Sequence, residues 1–262
     1  MTREGDTQAM TTEQPTSASG PARVAVVTGA ASGIGLATAA RLAAEGLRVA
    51  VLDLNDAVSA TSGAGGLAVR ADVTDPADVQ RAFTEILGAF GRIDVLVNNA
   101  GITGSAEATV CHLTPIEEWD QVLAVNVRGP FLCTRAVLPA MLRQGSGHVI
   151  TIASVAGLVA FPGRCAYTTS KGAAVQFTKS LAVDYAAAGI RANAVCPGFV
   201  QTPMTQWRLD VPELRSQVEA NIPLGRVAQP EEIADAVAVL ASDRLGYLTG
   251  HALAIDGGWT AL

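Results

Sequence analysis

A tyrosine and a lysine four residues apart, Tyr167 and Lys171, are the side chains in this sequence best suited to moving a proton. In a helix this spacing places both on one face, about one turn apart. A free tyrosine hydroxyl ionises near pH ~10, and a fixed positive charge nearby favours the phenolate. The pair therefore indicates an acid/base catalyst, although the same spacing also suits a half-exposed tyrosine packed on the stem of a surface lysine.

A glycine-rich motif is the second feature that could carry chemistry. The residues Thr28-Gly29-Ala30-Ala31-Ser32-Gly33-Ile34-Gly35 follow a Val-rich run and open an Ala-rich helical segment. Glycines in such a strand-to-helix turn let the backbone approach a pyrophosphate at the helix N-terminus. The motif therefore predicts a dinucleotide site.

Asp53 lies 18 residues beyond Gly35, where a second predicted strand ends. A carboxylate at this position accepts hydrogen bonds from both hydroxyls of an adenosine ribose and repels a 2′-phosphate. Leu54 and Asn55 follow it, so the adjacent sequence offers no cation for such a phosphate. These residues favour NAD over NADP, whereas a helix cap or a solvated strand end is the structural alternative for Asp53.

The elements that position these residues follow a regular alternation of Val/Ile/Leu-rich runs with longer segments of helical period. This pattern predicts one α/β domain of the doubly wound Rossmann type, with a seven-stranded parallel sheet flanked by helices. The predicted strands are Val24–Thr28, Arg48–Asp53, Leu67–Arg70, Val95–Asn98, His148–Ala153, Arg191–Cys196 and Ala252–Asp256. The predicted helices are Gly33–Glu45, Asp75–Phe90, Ile116–Gln144 with some irregularity, Cys165–Ala188 and Pro230–Ser242, and the 55–66 link should hold a single helical turn.

Composition narrows the classes of function. The chain has 262 residues, 49% of them hydrophobic, and a net charge of −6, which argues against nucleic acid or an anionic membrane as partner. No window of 18 apolar residues and no leader pattern is found, so a cytoplasmic protein is expected. Residues 1–22 are polar and should form a disordered tail before the domain at 23–262. The four cysteines and three histidines lack metal-ligand spacing, so no metal site is predicted.

The Gly-x-x-x-Gly-x-Gly turn together with Tyr-x-x-x-Lys resembles the short-chain dehydrogenase/reductase family over about residues 23–262. Further landmarks of that family occur in order along the chain: Asp72-Val73, Asn98-Asn99-Ala100-Gly101, Asn126, Ser154 and Pro197-Gly198. The resemblance implies an NAD(H)-dependent enzyme that transfers hydride between nicotinamide and a secondary alcohol or ketone. It also implies a homotetramer, with the last strand and the long helices as interfaces.

The resemblance further implies a role for each matching residue. Tyr167 would be the general acid/base, Lys171 would lower its pKa and bind the nicotinamide ribose, Ser154 would hold the substrate oxygen, and Asn126 would bind a relay water. The residues expected to contact the cofactor are Gly29, Ser32, Gly33, Ile34, Gly35, Asp53, Asp72, Val73, Asn99, Ala100, Gly101, Tyr167, Lys171, Pro197, Gly198, Val200 and Thr202.

The substrate is less constrained by the sequence. It should be selected by residues 102–113, 155–164 and a lid at about 203–221, where Arg164 and Arg208 raise the hypothesis of an anionic substrate. Three alternatives stay open. A 3-oxoacyl-thioester reductase of the same family would generally use NADP, a non-catalytic dinucleotide-binding protein should have lost catalytic residues, and an epimerase or dehydratase expects a Gly-x-x-Gly-x-x-Gly turn and a longer C-terminal domain.

Overall fold

The structure is a computed structural model that describes residues 22–56, 58, 65–104 and 110–261. Its seven strands are β1 (Val24–Thr28), β2 (Arg48–Asp53), β3 (Leu67–Arg70), β4 (Val95–Asn98), β5 (Gly147–Ile152), β6 (Ile190–Pro197) and β7 (Ala252–Ile255). Its helices are α1 (Gly33–Ala44), α2 (Pro76–Phe90), α3 (Ile116–Leu123), α4 (Gly129–Gln144), α5 (Cys165–Tyr185), α6 (Pro203–Leu209), α7 (Pro212–Glu219) and α8 (Pro230–Ala241).

All neighbouring strands pair in parallel, in the order β3-β2-β1-β4-β5-β6-β7. The predicted doubly wound sheet is therefore confirmed, and each predicted strand is found within one residue of its expected ends. The order reverses between β1 and β4, so the loops after these two strands diverge and leave a crevice at the carboxyl edge. Residues 1–21 of the predicted tail, most of the 55–66 link and residues 105–109 of the predicted substrate loop lie outside the described residues.

Two apolar layers hold the sheet between the helices. Every residue of β1 is buried, as expected for a central parallel strand that is covered on both faces. One layer includes Phe83, Ile86 and Met141 from the side of α2 and α4, and the other includes Leu42 and Ile233 from the side of α1 and α8. None of the described helices is long and apolar enough to cross a bilayer.

The predicted helix Ile116–Gln144 is divided into α3, a π-helical turn at Ala124–Arg128, and α4. A π-turn accommodates one extra residue and is often found at functional sites. Here the central residue is Asn126, which is only 2% exposed and faces the end of β4. The π-turn therefore contains Asn126, one of the residues that the sequence predicts to be catalytic.

A buried histidine in β5 gives the fold a predicted sensitivity to acid. His148 accepts a hydrogen bond at Nε2 from Asn193 Nδ2 at 3.0 Å, because the Asn193 Oδ1 atom is occupied by the His251 amide. Burial, aided by the charge of Arg191, lowers the pKa of His148 from 6.5 to about 3. Below pH ~6.5 this histidine is therefore protonated in the unfolded chain and stays neutral in the folded one. The free energy of unfolding then falls by about 1.4 kcal/mol for each pH unit.

As the pH falls from 6.5 towards 4, we expect the wild type to lose unfolding free energy relative to His148→Gln, by about 1.4 kcal/mol per pH unit. Urea unfolding of both proteins at three pH values measures the effect. The difference at pH 7.5 is the reference, because His148 of the wild type is neutral there in both the folded and the unfolded state. Parallel pH dependences for the two proteins would contradict the assignment.

Candidate active site

The carboxyl edge of the sheet opens into a cleft of about 440 Å³. Of the residues predicted from the sequence to bind cofactor or catalyse, the cleft is lined by Gly29, Ser32, Gly33, Ile34, Asp53, Asp72, Val73, Asn99, Ala100, Gly101, Ser154, Tyr167, Lys171, Pro197, Gly198, Val200 and Thr202. Gly35 and Asn126 are absent from this lining. Segments distant in the sequence thus meet around a single cavity.

The glycine turn at the start of α1 has the geometry of a phosphate cradle. Gly29 has φ +64°, and a Cβ atom there would stand 2.7 Å from Ala100 Cα. Ser32, the N-cap residue of α1, makes no capping side-chain hydrogen bond, which leaves the first amide groups of the helix available to an anion. The backbone donors and the helix dipole here fit a pyrophosphate.

Gly35 supports this turn rather than lining the cleft. A Cβ atom at Gly35 would lie 2.1 Å from Gly29 O, so only glycine permits helix and turn to pack this closely. Asn99 fixes the same turn from β4, because its Nδ2 donates to Thr28 O and Gly29 O at 2.9 Å each. The Thr28 hydroxyl in turn accepts hydrogen bonds from the amides of Asn99 and Ala100 at 3.0 Å. Part of what the Asn99 motif does is therefore to hold the cradle.

Asp53 places its carboxylate at the adenosine end of the cleft. Its Oδ2 accepts from the Ala31 amide and its Oδ1 from the Asn55 amide, both at 2.9 Å, which fixes the group beside the glycine turn. Farther along the same edge, Asp72 Oδ1 accepts from both the amide and the hydroxyl of Thr74 at 2.8 Å. Each Asp53 oxygen accepts one of these bonds and keeps a second lone-pair direction for a ligand, whereas Asp72 Oδ1 already accepts two.

Arg70 corrects the expectation that no cation lies near Asp53. The two residues pair across β2 and β3, and the Arg70 guanidinium donates from Nε to Leu54 O at 3.2 Å. The same Nε lies 3.0 Å from Asp56 Oδ1 in an exposed ion pair. The cation is therefore close in space but already engaged, and the sequence concealed it because it belongs to the neighbouring strand.

At the other end of the cleft, Ser154, Tyr167 and Lys171 converge. Ser154 lies two residues after β5, where its Oγ accepts from the Ala156 amide at 3.1 Å, and its side chain acts to lower the pKa of the Tyr167 phenol. Lys171 is buried, and its Nζ donates to Ile152 O at 2.9 Å and lies 5.7 Å from the centroid of the Tyr167 ring. A backbone carbonyl thus holds the ammonium one helical turn from the phenol.

The pKa values of this pair differ from the expectation that Lys171 lowers the pKa of Tyr167. Burial raises the pKa of Tyr167 above 10, while the hydrogen bond with Ser154 and the charge of Arg164 act in the opposite direction. Burial also lowers the pKa of Lys171 to about 8, so near that pH the amine is only partly charged. In the protein alone, desolvation outweighs the interactions that favour the charged form of each group.

Asn126 lies behind this pair, and its amide is engaged by the protein. Its Oδ1 accepts from the Ile102 amide at 2.9 Å, and its Nδ2 donates to Ile102 O at 2.8 Å and to Ser170 Oγ at 3.0 Å. Both amide hydrogens are therefore used. A relay water bound by the hydrogens of this side chain, as the resemblance suggested, would have to displace one of these partners.

The segment predicted to be a lid contains α6 and α7, and a capping box fixes the start of α6. The Thr205 hydroxyl accepts from the Thr202 amide at 3.1 Å and donates to Val200 O at 2.5 Å. The cleft lining also includes residues that sequence reasoning had not assigned to the cofactor: Leu54, Ala71, Ile102, Gln121, Val125, Ile152, Ala153, Pro203, Met204 and Thr205. Of these, Gln121 and Val125 are four residues apart, a spacing that places them on one helical face.

The chain is similar to known proteins over most of its length. The family model described as enoyl-(acyl carrier protein) reductase matches residues 29–260. The chain is 58% identical over 248 residues to 2-(R)-hydroxypropyl-CoM dehydrogenase of Xanthobacter autotrophicus, with 92% of this chain and 99% of the relative covered. It is 42% identical over 246 residues to cyclopentanol dehydrogenase of Comamonas sp., with 91% and 97% covered.

Among solved structures, 3-ketoacyl-(acyl-carrier-protein) reductase from Brucella melitensis complexed with NADH has a TM-score of 0.85 and 34% identity. The alignment covers 92% of this chain and 99% of that structure. The similarity therefore extends through the whole sheet and is not confined to the glycine turn.

Proposed function

The chain belongs to the short-chain dehydrogenase/reductase family, and from that premise we propose that it oxidises a secondary alcohol with NAD, or reduces the corresponding ketone with NADH, through Tyr167. That it is an oxidoreductase acting on CH–OH groups of secondary alcohols follows from its relatives, two of which are named as dehydrogenases of a hydroxypropyl compound and of cyclopentanol. The observation that carries the assignment of residues is the meeting of Ser154, Tyr167 and Lys171 with the glycine cradle in one cleft.

When bound, the nicotinamide ring supplies the hydride acceptor or donor. The protein has to hold the alcohol oxygen and remove its proton. Ser154 is positioned to hydrogen-bond that oxygen while Tyr167 accepts the proton, because both side chains line the cleft and Ser154 acts on the phenol, whose pKa it lowers. Lys171, fixed by Ile152 O, would orient the cofactor ribose and supply charge next to the phenol.

NAD is proposed as the preferred cofactor because Asp53 presents a fixed carboxylate where a 2′-phosphate would lie. The NADH-bound structural relative supports a nicotinamide dinucleotide. A 3-oxoacyl-thioester reductase remains the alternative activity. It is less well supported, because the chain is 58% identical to a secondary alcohol dehydrogenase and 43% identical, over 246 residues, to the 3-oxoacyl-[acyl-carrier-protein] reductase of Synechocystis sp..

A homotetramer in the cytoplasm, acting on a small-molecule substrate, completes the proposal. An apolar groove formed by Leu123, Val127, Phe131 and Phe177 on the outer face of α3, α4 and α5 supports self-association through these helices. The cysteines are all free, which is consistent with a reducing compartment.

The activity is tested by following NADH absorbance with a panel that includes 2-(R)-hydroxypropyl-CoM, cyclopentanol, polyols, hydroxy acids and a 3-hydroxyacyl thioester. We expect turnover of at least one secondary alcohol with NAD. Exclusive turnover of the thioester would establish the alternative, and the absence of turnover with every alcohol and ketone would contradict the proposal.

An anionic group on the substrate is proposed from two arginines on the substrate side. The charge of Arg164 reaches the Tyr167 phenol, whose pKa it lowers, so this guanidinium lies within Coulomb range of the reacting oxygen. Arg208, on the lid helix α6, is half-buried, with its Cζ 6.0 Å from the Phe199 ring and 5.9 Å from the Trp207 ring. Within the described part of the chain, no ion pair involves Arg208.

Arg208→Ala should raise KM for an anionic alcohol about tenfold or more, since hydrogen bonds to charged groups contribute about 1.5–3 kcal/mol. Steady-state kinetics measure this, with a neutral secondary alcohol in parallel, for which KM should change less than about twofold. Arg215→Ala is the matched control, because Arg215 pairs with Glu219 in α7. An unchanged KM for every anionic substrate accepted would remove the hypothesis.

A further inference from the structure

Ser170 carries a completely buried hydroxyl and lies between Tyr167 and Lys171 in the sequence. It lies in α5, three residues after Tyr167 and one before Lys171, and its exposure is 0%. It does not line the cleft. A polar group buried in this way needs partners, and the partners of Ser170 belong to the candidate active site.

The hydroxyl has one hydrogen, and the geometry commits it. Ser170 Oγ donates to Tyr167 O at 2.7 Å, so towards Asn126 it can only accept. Asn126 Nδ2 makes that contact at 3.0 Å. The serine therefore determines which end of the Asn126 amide faces α5.

With the nitrogen of the amide facing Ser170, the rest of Asn126 is fixed as well. The amide exchanges two hydrogen bonds with the Ile102 backbone, at 2.9 Å from Oδ1 and 2.8 Å from Nδ2. The preceding residue, Gly101, is confined between Asn126 and the lysine, since a Cβ atom there would lie 3.3 Å from Asn126 Oδ1 and 3.6 Å from Lys171 Nζ. Gly101 and Ile102 both line the cleft.

We infer that Ser170 is a positioning residue for the dehydrogenase reaction, which holds the Asn126 amide and, through it, the Gly101–Ile102 backbone in register with Tyr167 and Lys171. The inference rests on the proposed function, because it is the role of Tyr167 that makes this register matter. The hydroxyl joins α5 to the π-turn, and the Asn126 amide in turn joins the π-turn to the segment after β4. A hydroxyl that only bonded back to its own helix would leave them uncoupled.

The test compares Ser170→Ala with Thr178→Val. Thr178 is also buried in α5, at 1% exposure, and its hydroxyl donates to Ala174 O at 2.9 Å within the same helix. Both variants lose a buried helical hydrogen bond, and both should lose roughly 2–4 °C in Tm. Only Ser170→Ala should lower kcat, by about fivefold to tenfold, with KM for the alcohol changed less than about twofold.

A double-mutant cycle separates positioning from packing. In an Asn126→Ala background, Ser170→Ala should lower kcat by less than about twofold further, since the group that it positions is gone. The urea midpoint of the protein without cofactor should show the same non-additivity. Ser170→Cys keeps an atom in the buried space but offers a weak acceptor, and it should share the loss of kcat.

Additive effects of Ser170→Ala and Asn126→Ala on kcat, or a kcat within twofold of wild type for both Ser170 variants, would overturn the inference. The same assays include Tyr167→Phe. An active Tyr167→Phe enzyme contradicts the proposed function, whereas an inactive Tyr167→Phe enzyme beside fully active Ser170 variants contradicts only the role of Ser170.

Discussion

Replacing Tyr167 with phenylalanine should reduce turnover of every accepted alcohol by about 10²–10⁴-fold, the range associated with losing a general acid/base. The substitution removes one oxygen and leaves the ring beside Lys171 Nζ, whose distance to the ring centroid is 5.7 Å. In the proposed function, the glycine cradle and Asp53 are the chief contacts of the dinucleotide. The Kd for NADH should therefore change by less than about tenfold while kcat collapses.

Tyr185→Phe is the matched control for this substitution. Tyr185 ends the same helix and packs against the apolar layer on the side of α2 and α4, away from the cleft. It should keep kcat within about twofold of wild type. Near wild-type turnover in Tyr167→Phe with saturating NAD would mean that the proton is moved by another group.

The pH dependence of kcat for alcohol oxidation follows from the same residue. Burial raises the pKa of Tyr167, so the phenolate that can accept a proton becomes more populated as the pH rises. We expect kcat for oxidation to increase with pH across the range above 7. Ser154→Ala should move the rise to higher pH, because the hydrogen bond that lowers the phenol pKa is lost.

Asp53→Asn should shift the ratio of kcat/KM for NADP to that for NAD by about a hundredfold towards NADP. A carboxylate about 4 Å from a phosphate is repelled by roughly 4 kcal/mol at an effective dielectric constant near 20, and screening by salt reduces that figure. Asparagine also has one acceptor oxygen where aspartate has two. It can therefore accept from fewer ribose hydroxyls, and from only one of the two backbone amides that now bond to Asp53, those of Ala31 and Asn55. We therefore expect weaker NAD binding together with stronger NADP binding.

Asp56→Asn is the control for charge at this end of the cleft. It makes the same change in net charge three residues away, but Asp56 faces Arg70 in an exposed ion pair. Its cofactor ratio should stay within about threefold of wild type. Tighter binding of NADP than of NAD by the wild-type protein would contradict the argument from Asp53, and a large effect of Asp56→Asn would assign selectivity to Arg70 instead.

The order of strands and the position of the cleft were predictable because they depend on local patterns. Val-rich runs such as Val24–Thr28 are buried on both faces, and a strand-to-helix turn with three glycines fixes where the first helix begins. Once parallel strands alternate with helices, right-handed crossovers bring the residues after each strand to one edge. The sequence alone therefore predicts that Asp53, Ser154 and Thr202 line one cleft, as they do in the structure.

Features that depend on contacts between distant segments were not predictable in the same way. The π-turn at Ala124–Arg128 surrounds an asparagine whose amide bonds to Ile102 and Ser170, 24 and 44 residues away. Arg70 reaches the vicinity of Asp53 only through the pairing of β2 with β3. The raised pKa of Tyr167 results from burial, which no spacing of residues in a sequence reveals.

The bonds that join Asn99 to Thr28 and Gly29 have a consequence for how the protein acquires its activity. They link residues that are 71 and 70 positions apart, so the cradle does not exist until β4 has paired with β1. Closing so long a loop is an entropic barrier that local helix formation does not lower. A growing chain that ends before residue 99 contains the glycine residues but cannot form the turn that fits a dinucleotide. Dinucleotide binding is therefore expected only once β1 and β4 have paired at the centre of the sheet.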